Sequence, residues 1–230
     1  IAEAGRVEEI IDQIKQSATQ TASKSLWQKR YSWPIFLAFA IAFFNQVSGI
    51  NFIIYFAPRV FSLAGLDESA ALLSSAGIGI VNLVATLLGM MLIDRLGRRQ
   101  LLLIGSIGYI ATLSAVSWAF ATDQGGMMVV LFVFGFIAAH AVGQGAVIWV
   151  FIAEIFPNEV RSKGQALGSS THWVLAASIT LVIPAVLGSF EAYQIFAAFA
   201  LMMVVQLVFV IKLIPETRNR SLEEIAQQWA

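Results

Sequence analysis

Asn45, Gln46, Ser48 and Asn51 fall within seven residues of an otherwise apolar run, FNQVSGINFIIY, with Gly49 between the last two. Tyr55 follows one helical turn after Asn51. Other polar intrusions come later: Asn82, then His140, Gln144 and Trp149 among Gly135, Gly143 and Gly145, then His172 and Trp173. A buried amide costs free energy unless it is hydrogen-bonded, and Asn and Gln each offer donors and an acceptor. A neutral, hydroxyl-rich ligand also does both. Indole faces suit the C–H faces of a sugar ring, and the indole N–H can reach a hydroxyl. No Asp, Glu, Lys or Arg accompanies these residues, so an ionic ligand would find no counter-ion. No nucleophile–base pair or metal-ligand cluster supports an enzyme reading. For any one residue, the alternative is an interhelical hydrogen bond worth ~0.6 kcal/mol. The run around Gly49 holds too many amides for that alone.

The elements carrying these residues follow from charge. The 230 residues are 58% hydrophobic and 12% charged, with net charge zero and no cysteine. That excludes disulfides and thiolate metal sites, and no basic run suggests nucleic acid. Lys, Arg, Asp and Glu are absent from 31–58, 69–93, 100–122, 124–153, 164–190 and 192–211, each at least 20 residues long. Windows of that length cross a ~30 Å hydrocarbon core as helices, and lipid permits little else. An all-α membrane protein with six transmembrane helices is predicted.

Thirteen of the 14 basic residues fall before span one, between spans two and three, between spans four and five, or after span six. Only Arg59 lies on the other side. The positive-inside rule then makes both ends cytoplasmic. At those ends Val7, Ile10, Ile11 and Ile14, and again Leu222, Ile225 and Trp229, recur at helical spacing, with Ser221 as N-cap and Glu224 at N3. Both stretches are expected to form short cytoplasmic helices. The sequence opens on Ile1 without a methionine, as expected of a piece of a longer chain.

On an ideal helix Gln46 and Asn51 would lie ~140° apart. A kink or unwinding at Ser48–Gly49, with the Ser hydroxyl bonding a freed backbone group, would let them converge. Span four, AHAVGQGAVIW, also puts small residues and an amide mid-membrane, with an indole one turn on. Spans one and four open successive three-helix units. Interrupted helices at matching positions point to a transporter binding site.

At these residues the sequence resembles the sugar porter family of the major facilitator superfamily, specifically its C-terminal six-helix half. NQVSGINFIIY (45–55) is similar to the family's QQxSGxNxxxYY. DRLGRR (94–99), AEIFPNEVRSK (153–163) and PETR (215–218) resemble three further motifs, in order and at span boundaries. Asn45 stands where the family has its first glutamine, and Phe56 where it has a second tyrosine.

The resemblance implies a 3+3 pseudo-repeat: a cytoplasmic linker at 1–30, a six-helix bundle at 31–214 and a cytoplasmic C-terminal helix at 215–230. It implies sugar contacts from Gln46, Asn51 and Asn82, with Gly145, Trp149 and Trp173 lining the cavity. Asn45, Tyr55 and His172 join these as candidates. It also implies a cytoplasmic charge network of Asp94, Arg95, Arg98, Arg99, Glu154, Arg161, Glu216 and Arg218.

The expected partners are a monosaccharide, the lipid bilayer of a plasma (inner) membrane and an N-terminal six-helix half. No cofactor or metal is expected. If protons are coupled, the resemblance puts the coupling acid in that other half. The alternatives are a polyol or cyclitol transporter, a non-transporting sugar sensor, and two copies of this half pairing.

Overall fold

The computed structural model describes residues 25–220 and 224–225. Six helices long and apolar enough to cross a membrane run over Lys29–Leu63, Glu68–Leu96, Arg98–Ala121, Met127–Ile155, Arg161–Ser189 and Ala192–Leu213. The charge-free windows predict all six. The expected terminal helices lie outside the described residues, apart from Glu224 and Ile225.

Two spans are interrupted. The first consists of α1 (Ser32–Val47) and α2 (Ile50–Leu63), the second span is α3 (Glu68–Leu96), and the third is α4 (Arg98–Ala121). The fourth is α5 (Met127–His140), a π-helical segment Ala141–Gly145 and α6 (Ala146–Ile155). The fifth and sixth are α7 (Arg161–Ser189) and α8 (Ala192–Leu213). Span one overruns its charge-free window: Pro58 and Arg59 lie inside α2, with a non-helical Phe56 just before them (φ −112°, ψ 18°). Proline removes one helical hydrogen bond and crowds the preceding turn, which accounts for a distortion there. Asp67 starts α3 by accepting from the Ala70 amide (3.0 Å), and a Glu191–Gln194 capping box starts α8.

Helix α8 packs along α4, α1 along α7, and α2 on α3. The interior divides into two apolar clusters. One holds Phe52, Phe61, Tyr109, Val116, Phe136 and Phe196. The other, toward the predicted cytoplasmic end, holds Leu37, Ile41, Leu102, Phe151, Phe156 and Phe209. Chains that pass between the clusters carry polar residues at the crossing. Asn45, Gln46 and Ser48 lie between Phe44 and Ile50, Ser106 between Leu102 and Tyr109, His140 and Gln144 between Ile137 and Val147, and Gln206 between Met203 and Phe209. All are buried. The bundle therefore has a polar layer at mid-depth, sandwiched between two apolar ones.

Candidate substrate site

The site is built on the break in span one. Gly49 takes φ +83°, ψ 12°, in the left-handed region. An added Cβ there would lie 2.6 Å from the Phe199 ring of α8. Backbone conformation and close approach thus both demand glycine. Ser48 repairs the break: its hydroxyl donates to the Asn45 carbonyl (2.6 Å) and accepts from the Ile50 amide (3.3 Å). The expected interruption occurs at the predicted place, with the serine in the predicted role.

The break turns Asn51 back onto Gln46. Asn51 Nδ2 donates to Gln46 Oε1 at 2.8 Å. Gln46 Nε2 donates to Asn45 Oδ1 at 3.1 Å, and lies 2.9 Å from Nδ1 and 3.2 Å from Nε2 of His172 on α7. The His172 ring meets Trp149 of α6 edge-on at 5.0 Å and Trp173 at 5.1 Å. Four helices therefore contribute to one continuous array of three amides, an imidazole and two indoles.

The array has an inner and an outer part. Gln46 is 0% and Asn45 2% exposed, whereas Asn51 and His172 are half-buried and Tyr55, Trp149 and Trp173 are exposed. Both Gln46 N–H groups and its carbonyl are engaged within the protein. Here Gln46 sets the orientation of Asn51 and His172, and those two present polar groups outward. Asn82 on α3 is half-buried and makes no side-chain hydrogen bond among the described residues. Gly145, at the end of the π segment, has room for a Cβ only at 3.3 Å from the His140 carbonyl.

Span four is interrupted differently from the expectation of unwinding. Its backbone stays helical but widens by a π turn, a form often found at functional sites. The widening brings Gly143 against Gly105 of α4, where a Cβ on Gly143 would sit 2.7 Å from the Gly105 Cα. His140 turns its Nδ1 to the buried Tyr109 hydroxyl, 2.6 Å away. Gln144 is 1% exposed, and neither of its amide atoms has a partner among the described residues.

A second cluster lies at the predicted cytoplasmic end. Arg98 grips Glu154 with two hydrogen bonds (Nε to Oε2, 3.1 Å; NH2 to Oε1, 2.7 Å) and reaches Asp94 at 3.2 Å. Such bidentate pairing is the strong form of the interaction. The Glu216 carboxylate accepts instead from backbone amides: Arg98 at 3.0 Å, Arg99 at 3.1 Å and Arg218 at 3.0 Å. It caps the N-terminus of α4, where a carboxylate is favoured by both hydrogen bonding and the helix dipole. Gly97 permits this, with φ +93° and Glu216 Oε2 where a Cβ would intrude.

The Arg99 guanidinium bonds the Ile211 carbonyl (2.7 Å). Arg95 and Arg161 form no ion pair among the described residues. Of the expected network, the structure brings together Asp94, Arg98, Arg99, Glu154, Glu216 and Arg218, several of them through backbone groups rather than as ion pairs. Thr217 was missed: its hydroxyl donates to Glu154 Oε2 at 2.6 Å. Its place between Glu216 and Arg218 was the available signal.

Comparisons with known proteins agree with this architecture. The family model described as "Sugar (and other) transporter" matches residues 2–229. The chain is 35% identical to the arabinose-proton symporter of Bacillus subtilis over 191 residues, covering 82% of this chain and 41% of that protein. It is 34% identical to the glucose transporter GlcP of Staphylococcus epidermidis, covering 94% and 48%. Among solved structures it resembles the proton:xylose symporter XylE bound to 6-bromo-6-deoxy-D-glucose, with TM-score 0.78, 31% identity, and 85% and 42% coverage. An inward-open XylE from Escherichia coli matches with TM-score 0.81 and 27% identity, covering 97% of this chain and 46% of that one. The chain spans about half the length of these relatives, which are transporters rather than enzymes. The six spans, the four motifs and the family match together show that this chain belongs to the sugar porter family of the major facilitator superfamily.

Proposed function

We propose that the chain is the C-terminal half of a secondary transporter that carries a neutral monosaccharide by alternating access. The amide–imidazole–indole array at mid-depth carries this reading. Its outward groups donate and accept hydrogen bonds, its flanks are indoles, and no charged side chain enters it. The relatives named for arabinose, glucose and xylose support the substrate class.

An N-terminal six-helix half completes the cavity. Helix α7 buries four of its 29 residues against nine of 16 in α1, so α7 has surface to offer that half. The two bundles rock about the midplane site. The Arg98–Glu154–Glu216 cluster braces the cytoplasmic side, and both termini face the cytoplasm of a plasma (inner) membrane. The array contains no carboxylate, so any acid that couples proton entry lies in the other half.

Uptake of radiolabelled hexoses and pentoses by the full-length protein tests the reading. Saturable uptake of one of them is expected, and no uptake despite confirmed membrane insertion refutes it. A thermal-shift screen that includes polyols separates monosaccharide from polyol substrates. Asn51→Ala and Gln46→Ala are each expected to lose ~1–3 kcal/mol of sugar binding, because partners are left unpaired. Unchanged affinity in both would show that the amides serve only to join helices.

A further inference from the structure

We propose that the polar layer binds ordered water beside the π turn, held between the amides of Gln144 on span four and Gln206 on span six. Both residues are 1% exposed. Neither amide atom of Gln144, nor Oε1 of Gln206, has a hydrogen-bond partner among the described residues. The other end of Gln206 is committed. Its Nε2 donates to Ser106 Oγ (3.0 Å), and the Ser106 hydroxyl donates on to the Leu102 carbonyl (2.7 Å). Turning the Gln206 amide over would only exchange one unpaired end for the other. Buried polar groups are costly when dry, and native structures pair them with protein or with water.

The packing of span four puts the two amides on one flank. Gly89 of α3 lies against Val142 and Ala146, and Gly105 of α4 lies against Gly143. Each residue advances about 100° around an α-helix, and less in the wider π turn. Gln144 therefore points past α4, away from α3 and into the bundle. Ile148, one turn on, is buried in the same apolar cluster as Phe44 of α1 and Phe209 of α8. Gln206 lies one turn before Phe209, and it meets α4 at Ser106, the residue after Gly105. Glycines on both sides of Gln144 leave no neighbouring side chain to fill the space beside its amide.

The chemistry of these groups selects water. Gln144 offers donors and an acceptor, and Gln206 offers an acceptor. A water can take an N–H from Gln144 and give its own hydrogen to Gln206 Oε1, which is how buried waters bridge groups that protein leaves unsatisfied. A cation would meet the Gln144 N–H groups and find no carboxylate among the buried polar residues of this layer. Side chains so fully enclosed offer a sugar no approach. Water is also a partner that can turn or exchange as a helix changes shape. Span four is then bridged by a mobile ligand where span one is bridged by its own side chains. The site is independent of the sugar-binding reading, and its test needs no sugar.

X-ray hydroxyl-radical footprinting of the full-length protein in detergent provides that test. Radicals formed from a bound water oxidise the side chain beside it, even where bulk solvent does not reach. Met203 is the reporter, being 0% exposed and one turn before Gln206 on α8. Its oxidation is expected in the wild type and is expected to be lost in both Gln144→Leu and Gln206→Leu. Met203 unmodified in the wild type, or modified equally in either variant, overturns the proposal. A density map of the wild type that resolves ordered solvent decides independently, should either variant fail to fold. A peak within hydrogen-bonding distance of both Gln144 and Gln206 is expected. No peak, a peak touching only one amide, or a direct bond between the two amides overturns the shared site.

Discussion

The two interrupted spans begin equivalent three-helix units, yet they break in opposite ways. Span one reverses its backbone at a single left-handed glycine and bridges the break with Ser48 and the amide chain from Asn51 through Gln46 to Asn45. Span four keeps its helix, inserts a wide π turn and, among the described residues, leaves Gln144 with neither donor nor acceptor used. A break bridged by side-chain hydrogen bonds in this way is tied to one geometry. A break that strands a buried amide lacks that restraint, because no hydrogen bond ties it to this arrangement. The first span's break is tied by side-chain hydrogen bonds, and the fourth's is not.

Substitutions can break this contrast or sharpen it. Gly49→Ala should do most damage. A non-glycine residue in the left-handed region costs about 1–2 kcal/mol, and overlap with the Phe199 ring adds about 1–3 kcal/mol. Thermal unfolding of the full-length protein in detergent should show the loss, and a Gly49→Ala protein as stable as wild type would mean the break is not locked.

Gly143→Ala comes next, at about 1–3 kcal/mol, because its Cβ meets the Gly105 backbone rather than a side chain that can turn away. A smaller loss would show that the π turn yields. Gln46→Leu should cost about 1–3 kcal/mol of stability, leaving Asn45, Asn51 and His172 short of partners. Gln144→Leu should have the smallest effect and the opposite sign, neutral or stabilising by up to about 1 kcal/mol, because an unpaired amide is replaced by a group needing no partner. Equal losses from the two leucine variants would erase the distinction between the spans.

Much of this architecture is legible in the sequence because lipid is an unforgiving solvent. Charge-free windows locate all six spans, and the Ser48–Gly49 pair announces its break because glycine is the residue that turns left-handed without strain. The π turn is not legible: Gly143–Gln144–Gly145 fits a kink, an unwinding or a widening equally, and the near approach of Gly105, 38 positions earlier, selects among them. Gln46 is visible as an amide, but its complete burial depends on His172 arriving from a helix 126 residues away. The cytoplasmic motifs show their charges readily. That Glu216 spends its charge on the first amides of α4 rather than on a guanidinium follows from tertiary placement alone.

That carboxylate also has a bearing on assembly. Helix α4 begins at Arg98, but its N-terminal amides receive their acceptor from Glu216, 118 residues later. A chain emerging from the ribosome and inserting span by span would hold the third helix uncapped through the synthesis of three more. The closing bond forms only when the last span is in place and the segment after it folds back. Glu216 therefore acts as a seal of completion, and a chain stopped short of it would leave α4 with its first turn open to water.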